Sequence, residues 1–140
     1  MQWSKVLLLS LGMLLPMACK EKEKEHPACT TARVFAERFY NFRIMDCREL
    51  CQKELGPHLE HRNYLMQDEE RRLFAEAGPA KVRIVHTNIE DENLRGYVDV
   101  EISNFVCINF WTNKSFIEDC DTFRILMEKD YFGWHLIHIP

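Results

Sequence analysis

The hydrophobic period of this chain changes once, at Gly78 and Pro79, and that change constrains its fold more than any other feature. Before it, apolar residues recur at helical spacing. Phe35, Phe39 and Phe42 stand at i, i+4 and i+7, predicting a first helix that ends near Met45, with Cys29, Thr30 and Thr31 supplying its N-cap. Asp46 with Glu49 three residues on reads as a capping box for a short second helix, whose Cys47, Leu50, Cys51 and Leu55 share a face and which Gly56 and Pro57 end. A third helix is expected over residues 58–77, carrying Leu59, Met66, Leu73, Phe74 and Ala77 on its apolar side and a charged, exposed middle at 67–72. Beyond Pro79 the pattern alternates. Val82 and Ile84 begin a first strand, Val98, Val100 and Ile102 alternate with Asp99, Glu101 and Ser103 in a long second (97–111), and Phe123, Ile125 and Met127 mark a third (116–128). A last strand runs over 134–139. Helices and strands are thus segregated, which implies an α+β fold of three N-terminal helices packed on a four-stranded antiparallel sheet.

The composition, 46% hydrophobic and 29% charged, is that of an ordinary globular chain, so one core is expected. A net charge of −4 with no basic stripe excludes a general nucleic-acid footprint.

The amino-terminal end has a layout of its own. Lys5, an apolar stretch over residues 6–15 and the small Ala18 before Cys19 form the three zones of a secretory signal peptide. A spanning helix needs roughly twenty apolar residues, so this stretch is too short to be one. Residues 15–19 resemble the bacterial lipobox, in which Cys becomes the lipidated first residue of the mature protein. Pro16 stands where Leu is usual, with Leu15 one place earlier. The resemblance implies a signal peptide over 1–18, lipidation at Cys19, a charged tether over 19–28, and a folded domain over 29–140. It also implies attachment to the membrane through the N-terminal lipid, in the cell envelope at the outer membrane. The alternative is an ordinary signal peptide cleaved after Ala18. Lipidation leaves an odd set of thiols, Cys29, Cys47, Cys51, Cys107 and Cys120, whereas simple cleavage leaves six cysteines.

The element order, together with residues 35–42, 46–55, 97–102 and 123–139, resembles the nuclear-transport-factor-2-like (cystatin-like) superfamily. More narrowly it is similar to the small lipoproteins of that superfamily that have no assigned function. The resemblance implies a curved sheet wrapped round the helices, leaving an apolar pocket. Some members are enzymes of the ketosteroid isomerase or polyketide cyclase type, and many only bind or dimerise, so fold does not decide function.

Candidate chemistry is sparse. With the hairpin turn centred between Asn113 and Lys114, Cys107 and Cys120 face each other across the strands, where a disulfide would close with little movement. The alternative is two reduced thiols, and a one-residue bulge would part them. Cys47 and Cys51 at i, i+4 share a helix face, too far apart for an unstrained disulfide but suited to a soft metal, with His58 and His61 as further ligand candidates. Buried apolar cysteines are the commoner outcome of such a pair. His135 and His138 point to opposite faces of a strand and do not share an ion. An isomerase or cyclase needs an inward acid/base group, for which Asp99, Glu101 and His86 are the candidates, although Asp99 and Glu101 fall on the polar side of the alternation. Tyr97, Phe105, Trp111, Phe116 and Trp134 are available to a pocket, a subunit interface or the core. No catalytic residue and no cofactor is assigned. The expectation is a non-catalytic domain that binds a small apolar ligand or a protein partner, possible partners including a second copy in a homodimer. The alternative is a pocket enzyme of isomerase or cyclase type, and the third reading a CxxxC metal protein.

Overall fold

The computed structural model describes residues 24–109 and 111–140. The expected signal peptide, Cys19 and the first part of the expected tether lie outside the described residues.

Helix α1 spans Pro27–Phe39 and begins ahead of the cap expected at residues 29–31. Its cap is His26, whose Nδ1 accepts from the Ala28 N–H at 3.1 Å. Pro27 suits the first turn, where an N–H would find no helical partner. Ala28, Cys29, Ala32, Phe35, Ala36 and Phe39 form its buried stripe. Phe42 lies outside the helix, in a left-handed conformation (φ 64°) that reverses the chain, and its ring stacks on Phe74 at 4.7 Å.

The expected capping box does not form. Arg43 Nε donates to the Asp46 carboxylate at 3.0 Å, and Arg38 engages Glu49, so both carboxylates face arginines and not helix N–H groups. The segment is instead a 3₁₀ helix, Met45–Leu50, followed by a shorter one, Lys53–Leu55. Gly56 and Pro57 open helix α2 (Gly56–Leu65), Pro57 again filling a first-turn position. The single helix expected over 58–77 is divided. Met66 (ψ 78°) and the extended Gln67 interrupt it, and α3 (Asp68–Ala77) starts afresh with Asp68, Glu69 and Glu70 at its positive end. Gly78, at φ 79°, stops it.

Four strands follow: β1 (Lys81–Glu90), β2 (Arg95–Asn109), β3 (Lys114–Asp130) and β4 (Gly133–Leu136). They pair in chain order, antiparallel throughout, as an open sheet. The segregated order read from the sequence therefore holds. On the inner face Val98, Val100, Ile102, Ile125, Met127 and Leu136 are fully buried against α1, each worth about 1.5–3 kcal/mol of transfer free energy. Tyr97, Asp99 and Glu101 take the outer face, as the alternation requires.

Two irregularities shape the sheet. Val85 is an extra residue in β1, since Ile84 pairs with Val100 and His86 with Asp99. At Asn104 (φ 59°) the alternation of β2 breaks, and Phe105 and Val106 are both buried. The Asn104 amide explains the break by donating to the Ala77 carbonyl at 2.8 Å, tying β2 to the end of α3.

The β2–β3 register corrects one expectation. Asn109 pairs with Lys114, so the turn is centred two residues earlier than the tight turn assumed. Cys107 then faces Phe116, and Cys120 faces Ser103. Roughly 13 Å of strand separates the two cysteines, and both are free thiols.

Candidate functional site

At the end of α2 the helices part from the β2–β3 hairpin and leave an apolar mouth. Tyr40, the residue after α1, anchors it, its ring stacked on Phe123 and edge-on to Phe105, both at 5.3 Å. Burial pushes the Tyr40 phenol well above its ordinary range, against the opposing charge of Arg62. Arg62 projects from α2, its guanidinium 5.5 Å from the Phe39 ring centre and Nη2 donating to the Pro140 carbonyl at 2.8 Å, which draws the carboxyl-terminal residue over the opening. Between these groups and Met66, Cys107 and Ile108 lies a cavity of about 120 Å³.

Ile108 also borders a more open groove of about 370 Å³, whose other walls include Tyr64, Leu65 and Glu70. One Glu70 oxygen accepts from Ser115 Oγ at 2.9 Å. The other, Oε2, is buried and has no hydrogen-bond partner among the described residues, which is costly for a carboxylate oxygen removed from water. At the hairpin tip Trp111 is 98% exposed. Cavity and groove together offer an apolar hole with aromatic surface beside it.

The sequence-predicted residues are scattered by comparison. Cys47 is wholly buried, its thiol 3.6 Å from the carbonyls of Phe35 and Arg43, and Cys51 lies beyond the 3₁₀ helix in extended backbone bridged to Leu136. The shared helix face expected for the pair is therefore absent. Burial pushes both thiols up to about 12, which disfavours the thiolates a metal would need. His58 and His61 are exposed, and among the described residues no group of three or more His, Cys, Asp or Glu is placed to hold an ion. His135 contacts the Gly133 carbonyl and Asp130, and His138 is exposed.

Asp99, Glu101 and His86 lie on the outer face, away from the cavity. Asp99 takes Arg124 through two hydrogen bonds, at 2.9 and 3.1 Å, and these hold its carboxyl below the usual range. Arg124 in turn sits 3.7 Å above the Tyr97 ring, Arg83 pairs with Glu101 at 3.0 Å, and His86 Nε2 lies 3.5 Å from the Tyr97 hydroxyl. Of the five aromatics singled out in the sequence, only Phe105 lines the cavity. Trp134 is core, 5.6 Å from the His26 ring.

Tyr40, Arg62, Glu70 and Phe123 had no sequence signal as site residues. Tyr40 follows an aromatic helical stripe and Glu70 sits in a run of charges, where each reads as an ordinary member of its pattern. Among the described residues no helix is long and apolar enough to cross a membrane. Compared with known proteins, the chain matches no family model, no curated protein and no solved structure.

Proposed function

We propose that this chain is a lipid-anchored, extracytoplasmic binding domain of nuclear-transport-factor-2-like architecture whose mouth receives an apolar side chain of a protein partner. The observation that carries the reading is the size and setting of the cavity. At about 120 Å³ it is well below the roughly 300–1,000 Å³ of pockets that enclose drug-sized ligands, and it suits one apolar side chain. The adjoining groove, walled in part by Tyr64, Leu65 and Ile108, extends the contact surface beside it. Exposed Trp111 and Tyr64 add aromatic contact of the kind enriched in protein interfaces. The lipid anchor is supported by the apolar run, Ala18 and Cys19 of the sequence.

A photo-crosslinking amino acid at Tyr64, in the full chain in cells, tests the partner. The expected result is one discrete adduct in the membrane fraction, lost when Ile108→Asp closes the mouth to apolar groups and absent when the probe stands at Thr122 on the outer face. Adducts that do not distinguish the two positions overturn the reading. So does a small ligand retained by the native protein, seen by mass spectrometry without any crosslink. Intact mass of the same fraction tests the anchor, an unmodified Cys19 terminus refuting it.

A further inference from the structure

The end of the sheet opposite the mouth carries a second exposed apolar feature. Tyr131 and Phe132, at the tip of the β3–β4 turn, are 95% and 86% exposed, and their rings meet edge to face at 5.3 Å. The turn that presents them is firmly built. The Phe132 N–H donates to Asp130 Oδ1 at 2.8 Å, Gly133 takes the positive φ (125°), and Asp130 pairs with Gly133. The β1–β2 turn lies alongside, the Lys129 N–H donating to the Leu94 carbonyl at 2.7 Å, and Leu94 adds a third half-exposed apolar side chain. Two adjacent aromatic side chains turned almost wholly to water contribute nothing to the core of this domain.

The path of the chain says what they face. His26, the cap of α1, is held to this end by Asp91 at 2.9 Å and by its ring contact with Trp134. From His26 back to Cys19 the chain can extend no more than about 25 Å. A lipid on Cys19 therefore tethers the domain from the end that carries the Tyr131 turn, and the mouth lies toward the other end of the sheet. Tyr and Phe side chains are suited to the water–lipid boundary, Tyr above all because its ring is apolar and its hydroxyl remains hydrated. Around the two turns Asp91, Glu92 and Asp130 outnumber the exposed Arg95 and Lys129, a balance that matches a zwitterionic headgroup surface better than an anionic one.

We propose that Tyr131 and Phe132 form a wedge that seats in the headgroup layer of the membrane to which Cys19 is tied, fixing the domain with its mouth outward. The inference rests on the lipid-anchor reading. The full-length protein carrying Phe132→Trp, purified from membranes with its Cys19 state read by intact mass, is reconstituted into vesicles of phosphatidylethanolamine and phosphatidylcholine with brominated acyl chains. The parent protein, with Trp111 and Trp134, gives the background emission. The expected result is quenching of the introduced indole beyond that background, weakened when phosphatidylglycerol is added and lost when Tyr131→Ser accompanies the substitution. An acylated protein with no added quenching overturns the wedge and leaves the anchor standing. A blue shift without quenching assigns the turn to a protein surface, a second copy or another chain, and also overturns it. An unacylated protein overturns both readings.

Discussion

Burial, and not sequence spacing, decides the chemistry of the cysteines. Cys47 and Cys51 have thiols raised to about 12 by desolvation, whereas in the unfolded chain they ionise near the ordinary value of about 8.5. Between those values the native state holds more protons than the unfolded one, so stability is full below the lower value and falls as pH rises toward the upper. Urea midpoints are expected to decline above pH 9, and Cys47→Ala with Cys51→Ala to flatten that decline. At pH 8, iodoacetamide should modify exposed Cys120 first and leave Cys47 and Cys51 unmodified until unfolding, as peptide mass mapping will show. Labelling of Cys47 at the Cys120 rate would contradict the buried placement. The sequence made the i, i+4 spacing visible, but whether a spacing becomes a shared face depends on the helix type, and here the segment is 3₁₀.

At the level of elements, the helical part and the sheet were unequally legible. The change of period at Pro79 is a local signal, and the four strands follow from it because alternation tells directly which side chains meet the core. Gly56 and Pro57 misled because the same pair that follows a helix also suits the first turn of the next. The Cys107 and Cys120 register was hidden because the length of a hairpin turn is set by both strands and by what they pack on, not by the turn residues alone. Two positions test how the elements are held. A Cβ on Gly96 would stand 2.5 Å from the Asn88 carbonyl oxygen and 2.8 Å from the Ile89 Cα, backbone atoms of the facing strand that cannot swing away. Gly96→Ala is therefore expected to destabilise by about 1–3 kcal/mol in thermal or urea unfolding. Asn104→Ala should cost about 1–3 kcal/mol through the lost bonds to α3 and the strained φ, and Asn104→Gly should recover only the conformational part. Equal stability of Asn104→Gly and the parent would show that the hydrogen bonds contribute nothing.

For the molecule as a whole, the mouth escaped the sequence because Tyr40, Arg62, Glu70, Ile108 and Phe123 come from five separate segments that only packing brings together. Trp111 offers a clean separation of stability from binding there. Its side chain is almost wholly in water, so Trp111→Arg should leave the unfolding free energy within about 0.5 kcal/mol of the parent. The same change should reduce the Tyr64 crosslink, and a large loss of stability would instead place Trp111 in the fold. The length of β3 has a consequence of its own. Its seventeen residues join the Tyr131 turn to the hairpin tip beside the mouth, a span of roughly 50 Å at strand rise. Were the turn seated among headgroups as proposed, β3 would act as a ruler standing on the membrane. A partner's docking segment would then have to be presented tens of ångströms above the lipid, beyond the reach of a short juxtamembrane loop.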